Sequence, residues 1–291
     1  SVNVDHVYLW CTFFRRNLHR FAMDYLGLQL HLYQQLILYM MGICNFIVII
    51  ASRAAAKSFI IAIWACCRAI LYPGSQIVLS SATRGQSKLI VTEKIQGFLM
   101  GRSEQLRQEI EYVRASSNNE VRVGFRNKSV IIVVTADESG RGNRSTGIVR
   151  EEFRQIKKSI DDSILSPFQV MRQQPYMFLE PYSEMKKLEE LPVDIYISSS
   201  WFDNGHWMWT IVDKAYDEMM EDRPSCLLAF DESIVLKHRI KSLEYLIGEK
   251  KKQDPLTWRI EFLNERVREN TFAFFSYDLI TKNCTYKHVF Y

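Results

Sequence analysis

One short stretch constrains the fold of this chain more than any other. An apolar run, FIVII at 46–50, is rich in the β-branched residues that are typical of a buried strand. A small polar turn, ASRAAAKS at 51–58, follows it. The next segment, SFIIAIWACCRAI at 58–70, has the length of a helix and ends before Tyr72-Pro73-Gly74. A strand, a tight turn and a helix in this order predict one unit of an α/β sheet.

The same alternation of strands and helices continues to about residue 230. Strands are expected at 46–50, 76–80, 120–125, 129–135, 146–149, 194–200 and 226–230. Helices are expected at 58–70, 85–100 (capped by Thr83), 103–114 (exposed and amphipathic) and 207–220. Arg126-Asn127-Lys128 separates two of the strands and predicts a hairpin. Strands separated by helices predict a mostly parallel sheet with helices on both faces.

Composition excludes several classes of protein. The 291 residues are 47% hydrophobic and 24% charged, which is typical of a chain with a buried core. The net charge of +4 neither indicates nor excludes nucleic-acid binding. The six cysteines form no CxxC pair and the six histidines no HExxH pattern, which argues against a disulfide framework or a zinc site. The apolar run at 36–51 is shorter than the roughly 20 residues of a membrane helix, so no membrane partner is expected.

Two flanks differ from the central α/β pattern. Residues 1–45 are helical and aromatic, and residues 232–291 hold at least two helices and an aromatic tail. We therefore expect an N-terminal helical segment (1–45), a core (46–231) and a C-terminal helical lid or linker subdomain (232–291).

The turn at 51–58 has the pattern of a phosphate-binding loop, which is Gly-x-x-x-x-Gly-Lys-Ser/Thr between a strand and a helix. Lys57 and Ser58 match, whereas Ala51 and Ala56 replace the two glycines. In such a loop, backbone amides and the lysine bind phosphate oxygens, and the hydroxyl ligates Mg²⁺. Alanine fits only where φ is negative, so the motif predicts negative φ at both positions. The alternative is an alanine-rich helix start with a solvated lysine.

Acidic and hydroxyl residues follow two later strands. Glu151-Glu152 comes after the strand at 146–149, with Arg150 between, and suits a pair in which one carboxylate holds Mg²⁺ and the next polarises water. We expect this pair on a strand neighbouring the phosphate loop. Ser198-Ser199-Ser200 ends the strand DIYI and suits a sensor near a ligand crevice. The alternatives are the acidic first turn of a helix and hydroxyls that cap the following helix.

The order of these motifs resembles the ATPase (motor) domain of the large terminase subunit of tailed double-stranded DNA bacteriophages. The segment Ser52-Arg53-x-x-x-Lys57-Ser58 is similar to the family's glycine-poor phosphate loop. FFRRNLHRFAMDYLGLQLHLYQQ is similar to its N-terminal segment, which ends in an adenine-reading glutamine. Arg141-Gly142-Asn143-Arg144, Ser198–Ser200 and WRIEFLNERVRENTFAFF are similar to the family's Arg-Gly-x-Arg element, coupling motif and junction. The resemblance implies a P-loop NTPase fold of the ASCE/RecA-like type.

The resemblance also implies roles for individual residues. ATP and Mg²⁺ are the implied cofactors. Gln34, or Gln35 beside it, would read adenine; Glu152 would orient the attacking water; and Arg53 would approach the γ-phosphate in cis. Arg141, with Arg144 as its rival, would be an arginine finger toward a neighbouring subunit. Ser198, Ser199 and Ser200 would form the coupling motif, and Ser58 and Glu151 would hold Mg²⁺. The implied nucleotide-binding residues are Gln34, Ser52, Arg53, Ala54, Ala55, Ala56, Lys57 and Ser58. The family usually has Asp where Glu151 stands.

The implied function is packaging of viral double-stranded DNA by ATP-driven translocation. Its implied partners are double-stranded DNA, the portal protein, the small terminase subunit and further copies of the chain in a ring. The implied location is the host cell cytoplasm, transiently on the procapsid. We expect no nuclease domain, and interpret Asp161-Asp162 as helix surface. DNA-contact candidates are 157–158, 237–239 and 250–252. Alternatives are another P-loop translocase or helicase-like ATPase, and a degenerate nucleotide-binding assembly module without turnover.

Overall fold

The computed structural model describes residues 4–115, 121–137, 142–171, 174–185, 188–268 and 282–284. Within them, one sheet has the strand order β3-β4-β5-β2-β6-β7-β1-β8. Its strands are β1 (Phe46–Ala51), β2 (Gln76–Ser81), β3 (Ile110–Arg114), β4 (Val121–Phe125), β5 (Val130–Thr135), β6 (Gly147–Glu151), β7 (Val193–Ser198) and β8 (Ser225–Phe230). Every pairing from β5 to β8 is parallel, and β3 and β4 form an antiparallel edge. The α/β class and the mostly parallel sheet are confirmed.

Helices cover the sheet. They are α1 (Val4–Arg16), α2 (Leu32–Ile43), α3 (Lys57–Leu71), α4 (Arg84–Leu89), α5 (Glu104–Glu109), α6 (Trp207–Met220), α7 (Ser233–Lys237), α8 (Leu243–Lys252) and α9 (Pro255–Glu261). A π-helical stretch, Ile90–Leu99, and the turn Met100–Arg102 extend α4. Shorter helical turns are Leu18–Arg20, Phe21–Tyr25, Phe153–Gln155, Lys158–Ile160, Asp161–Leu165, Ser166–Phe168, Pro175–Phe178 and Tyr182–Glu184.

The helix expected at 103–114 is wrong in its second half. Ser103 caps α5 by accepting a hydrogen bond from the Leu106 amide at 3.1 Å, but α5 ends at Glu109. Ile110–Arg114 then pairs with β4 as the edge strand β3. The amphipathic pattern suits either structure when only one face is buried, and pairing with β4 selects the strand. Thr83 precedes α4 but its side chain caps nothing.

The acidic strand does not neighbour β1, contrary to expectation. β7 lies between them and pairs in parallel with β1 on one side and β6 on the other. The order of these three strands puts Ser198 between the phosphate loop and Glu151, at the carboxyl edge of the sheet. Ligands of open α/β sheets bind at this edge.

Apolar side chains fill both faces of the sheet. The larger cluster includes Trp64, buried between α3 and the strands, and the smaller one is centred on Phe153 and Tyr196. A third, separate cluster of Leu246, Trp258 and Phe262 joins α8 to α9. The division at 45 and 231 stays a prediction. Among the described residues, no helix combines the length and apolarity that crossing a bilayer requires, and the six cysteines are free thiols.

Candidate active site

The phosphate loop turns sharply between β1 and α3. Ala54 and Ala56 have φ of 70° and 56°, in the left-handed region that favours glycine. The expectation of negative φ at Ala56 is therefore wrong, because the loop keeps the glycine-type turn without the glycine. Each such alanine costs roughly 1–2 kcal/mol. The Arg53 amide donates to the carbonyl of Glu261 at 2.7 Å, so the loop is also held by α9.

Lys57 points under this loop rather than into solvent. Its Nζ donates to the carbonyls of Ala51 at 2.9 Å and Ser52 at 3.3 Å, and lies 3.6 Å from Oε1 of Glu152. Burial lowers the pKa of Lys57, and the Glu152 carboxylate opposes that shift. The alternative of a solvated lysine is wrong, because only 11% of the side chain is exposed.

Glu151 ends β6 and faces the start of α3. Its Oε1 accepts a hydrogen bond from the Ser58 hydroxyl, while Oε2 is buried with no hydrogen-bond partner among the described residues. Burial raises the pKa of Glu151 to about 7. An orphaned carboxylate oxygen beside a hydroxyl is the oxygen-rich donor pair that suits Mg²⁺. The residues present therefore fit the ion, and the extra carbon of Glu151 does not prevent contact with Ser58.

Glu152 adopts a strained backbone conformation, with φ 49° and ψ 45°. One carboxylate oxygen faces Lys57, and the other accepts from the Ser198 hydroxyl at 3.1 Å and lies 3.3 Å from Nε of Arg154. The acidic pair does not begin a helix with a regular first turn. Its two carboxylates face the phosphate loop instead.

The three serines at the end of β7, Ser198 to Ser200, are all buried and do not cap the following helix. His206 caps α6 instead, accepting from the Met208 amide at 3.2 Å. Ser199 donates to Oε2 of Glu261 at 3.0 Å, and Ser200 donates to the Glu265 carbonyl at 2.5 Å. The serines thus connect the acidic pair to the chain after α9.

Gln34 lies in the first turn of α2, buried in the wall of a cavity of about 700 Å³. Its Oε1 accepts from the His31 amide at 2.9 Å. A second cavity of about 760 Å³ is lined by the phosphate loop and Glu152. Phe59 and Phe98 line both cavities, with ring centroids 5.2 Å apart. The residues predicted to bind adenine and those predicted to bind phosphate therefore line two adjoining cavities.

The predicted arginines have different outcomes. Arg53 is exposed and lines the cavity beside Lys57. Arg141 lies outside the described residues, so its role stays a prediction. Arg144 is described and exposed, but it is not among the residues that line that cavity.

Sequence reasoning missed several buried charges. Arg150 does not interrupt β6 but lies within it, fully buried and paired with Asp161 and Asp194. The interpretation of Asp161 as surface is therefore wrong, whereas Asp162 is exposed and pairs with Lys158. Arg154 and Glu261 were also missed. An arginine inside an apolar strand signals a buried carboxylate, but the sequence does not say which one.

No protein-family model and no curated protein matches this chain. Solved structures match its backbone. The Thermus phage P74-26 large terminase ATPase domain matches 84% of this chain and 97% of its own, at TM-score 0.57 and 16% identity. The large terminase from a thermophilic bacteriophage matches 82% of this chain at TM-score 0.58 and 13% identity.

The same thermophilic bacteriophage protein in complex with ATP-gamma-S matches 77% of this chain at TM-score 0.52 and 13% identity. The matched region is about half of that full terminase chain, 54% in one crystal form and 48% in the complex. Identity at this level establishes the backbone architecture. This chain therefore has the fold of the large terminase ATPase domains.

Proposed function

We propose that this chain is an ATP-hydrolysing motor domain that drives double-stranded DNA into a viral procapsid. One observation carries the proposal. Lys57, Ser58, Glu151 and Glu152 meet at the carboxyl edge of the sheet, although 93 residues separate Ser58 from Glu151. The adjoining cavity that holds Gln34 adds a place for a base. The terminase folds matched by the chain support the same interpretation.

The residues divide the chemistry between them. The loop amides, the start of α3 and Lys57 bind the phosphates. Ser58 and Glu151 would hold Mg²⁺, which neutralises phosphate charge when bound. Glu152 orients a water for attack on the γ-phosphorus and accepts its proton, while the bond from the γ-phosphorus to the bridging oxygen breaks and ADP leaves. Ser198 holds the Glu152 carboxylate. Arg53 stabilises the charge that develops on the γ-phosphate, and Arg141 or Arg144 does so from a neighbouring copy.

The coupling of hydrolysis to DNA movement belongs to the same proposal. The proposed partners are double-stranded DNA, the portal protein, the small terminase subunit and further copies in a ring. The chain would act in the host cytoplasm, transiently on the procapsid. DNA contacts would be to phosphates, so DNA stimulation of ATP turnover should fall steeply with salt and depend little on sequence.

A degenerate nucleotide-binding module is the second candidate. The left-handed alanines and the contacts of Lys57 with loop carbonyls favour it, because both restrict the loop. This module would bind ATP without turning it over.

Steady-state ATP hydrolysis with Mg²⁺ at high protein concentration tests the proposal. We expect slow turnover that falls by about 10²-fold or more in Lys57→Ala and in Glu152→Ala. Lys88→Ala, on α4, is the control for loss of a lysine and should keep the wild-type rate. Nucleotide binding is titrated on the same samples. Binding without turnover would favour the degenerate module, and no binding would contradict both candidates.

A further inference from the structure

We propose that Arg154 and Glu261 are positioning residues that tie the catalytic carboxylate Glu152 to the chain segment that ends α9. This inference rests on the proposed function, since it concerns the same site. According to this inference, residues 261–265, at the end of α9 and just after it, control ATP hydrolysis.

Arg154 is the first link. Only 8% of the residue is exposed, and its three guanidinium nitrogens face three different elements. Nε lies 3.3 Å from Oε2 of Glu152 and forms an ion pair with it but no hydrogen bond. Nη1 donates to the carbonyl of Ser200 at 2.9 Å, and Nη2 donates to Oε1 of Glu261 at 2.5 Å. The guanidinium also lies over the ring of Trp201, 4.8 Å from its centroid. A planar guanidinium held in this way fixes the position of a carboxylate more tightly than a lysine would.

Glu261 is the second link, and it touches three parts of the site. Its Oε1 accepts from Arg154, its Oε2 accepts from the Ser199 hydroxyl at 3.0 Å, and its backbone carbonyl accepts from the Arg53 amide at 2.7 Å. One residue of α9 therefore contacts the neighbour of the catalytic carboxylate, the serine triplet and the phosphate loop. A displacement of α9 would change all three contacts together.

The chain just after α9 is fastened to the strand ends by hydrogen bonds. The side-chain amide of Asn264 donates to the carbonyls of Ile50 at 3.0 Å and Phe230 at 2.6 Å, and its oxygen accepts from the Ser200 amide at 3.0 Å. Asn264 has φ 57°, the left-handed conformation that asparagine tolerates. Such contacts are directional, so the segment has a defined register over the edges of β1, β7 and β8.

These contacts predict a specific pattern of kinetic defects. Removing the Glu261 charge releases Arg154, which then holds Glu152 less accurately for the attacking water. The phosphate loop, Lys57 and the Gln34 cavity stay in place. Catalysis should therefore suffer while nucleotide affinity is preserved, because the positioning acts on the transition state.

The experiment compares Glu261→Gln, Arg154→Lys, Arg154→Gln and the double variant Arg154→Gln/Glu261→Gln with wild type. The measurements are kcat and KM for ATP, the Kd of a fluorescent ADP analogue, and thermal unfolding. Arg223→Gln is the matched control, because this arginine also pairs with a glutamate, Glu221, at 2.6 Å, is 60% exposed and does not contact the segment 261–265. We expect Glu261→Gln to lower kcat about 10-fold while KM and the ADP Kd stay within about 2-fold.

Arg154→Lys should recover part of the kcat that Arg154→Gln loses. The double variant should be no slower than Arg154→Gln alone, because the two residues act through one contact. Unchanged kcat in folded Glu261→Gln would overturn the inference, as would equal losses of kcat and ADP affinity. Additive losses in the double variant would also overturn it.

Glu152→Gln separates this failure from failure of the proposed function. If Glu152→Gln abolishes turnover while Glu261→Gln does not change it, only the positioning role is wrong. If Glu152→Gln turns over ATP at the wild-type rate, or wild type turns over none, the proposed function fails and the positioning role fails with it.

Discussion

The two edges of the sheet both bury charge, and they do so in different ways. At the amino edge, Arg15 of α1 is 5% exposed and donates to the carbonyls of Leu71 and Leu188 and to the Tyr176 hydroxyl. At the carboxyl edge, Glu152 pairs with Lys57 and with Arg154, and Glu151 accepts a hydrogen bond from the Ser58 hydroxyl. The cavities at the two edges are of similar size, about 790 Å³ and 760 Å³.

Strain distinguishes the two edges. Seven non-glycine residues have positive φ among those described, and four of them, Ala54, Ala56, Glu152 and Asn264, lie at the carboxyl edge. Within the described part of the chain, buried polar atoms without a hydrogen-bond partner lie at both edges, for example Oε2 of Glu151 at the carboxyl edge and Nε of Arg68 at the amino edge. Backbone strain accumulates where a ligand or a reaction uses it. Cavity volume does not separate the edges, whereas backbone strain does.

Arg15→Met gives the largest expected change in stability, because Arg15 is buried at the amino edge and its hydrogen bonds there are structural. The substitution leaves the buried Leu71 carbonyl without its donor, removes one of the two donors to the Leu188 carbonyl, and removes the cation–π contact with Tyr72, 4.1 Å away. We expect the free energy of unfolding to fall by about 3 kcal/mol, measured by denaturant titration. The exposed neighbour Arg16→Met is the control, with an expected change within about 0.5 kcal/mol.

ATP turnover per folded molecule should stay at the wild-type value in Arg15→Met. A folded Arg15→Met protein that has lost turnover would make the amino edge part of the active site and remove the contrast between the edges.

Glu151→Gln should change how the free energy of unfolding depends on pH, because the Glu151 carboxyl is buried at the carboxyl edge. Burial raises the pKa of Glu151 from 4.5 to about 7, so the folded protein keeps a proton that the unfolded chain releases. The stability this adds is complete in acid and is lost as pH rises through about 7. Between about pH 5 and pH 8, without nucleotide or Mg²⁺, wild type should lose about 1–3 kcal/mol more unfolding free energy than Glu151→Gln. Parallel pH curves for the two proteins would contradict this.

Ala56→Gly gives the smallest expected effect. Glycine removes the Cβ that strains the left-handed conformation, so the variant should be more stable by about 1 kcal/mol in denaturant titrations. Ala55→Gly is the control, because this buried alanine of the same loop does not have positive φ and should lose stability. If Ala56→Gly is also destabilised, the loop conformation carries no strain at this position.

The local patterns were the most predictable part of this molecule. FIVII, the turn and the apolar helix became β1, the phosphate loop and α3, and the strands at 76–80, 129–135 and 226–230 agree within one residue. Strong periodicity and β-branched runs fix such elements because the relevant neighbours are close in sequence. The helix expected across 103–114 failed in its second half, since pairing with β4 overrode local propensity.

The partners of the candidate site residues were less predictable. Lys57, Ser58, Glu151 and Glu152 were chosen from spacing, whereas Arg154 and Glu261 carry no motif of their own. They are 107 residues apart, and their contact depends on where α9 crosses the strand ends. The left-handed conformation of Ala56 was likewise invisible, because alanine normally avoids it.

The amino-acid sequence determined that the turn at 51–58, the acidic pair and the hydroxyl triplet would each lie at the end of a strand. Local hydrophobic patterning is enough for that. The folded chain decided that β7 lies between β1 and β6, and therefore that Ser198 touches Glu152. It also decided that α9 closes over the site. Strand order and helix placement follow from crossovers and packing between distant segments, and these have no signature in a short stretch of sequence.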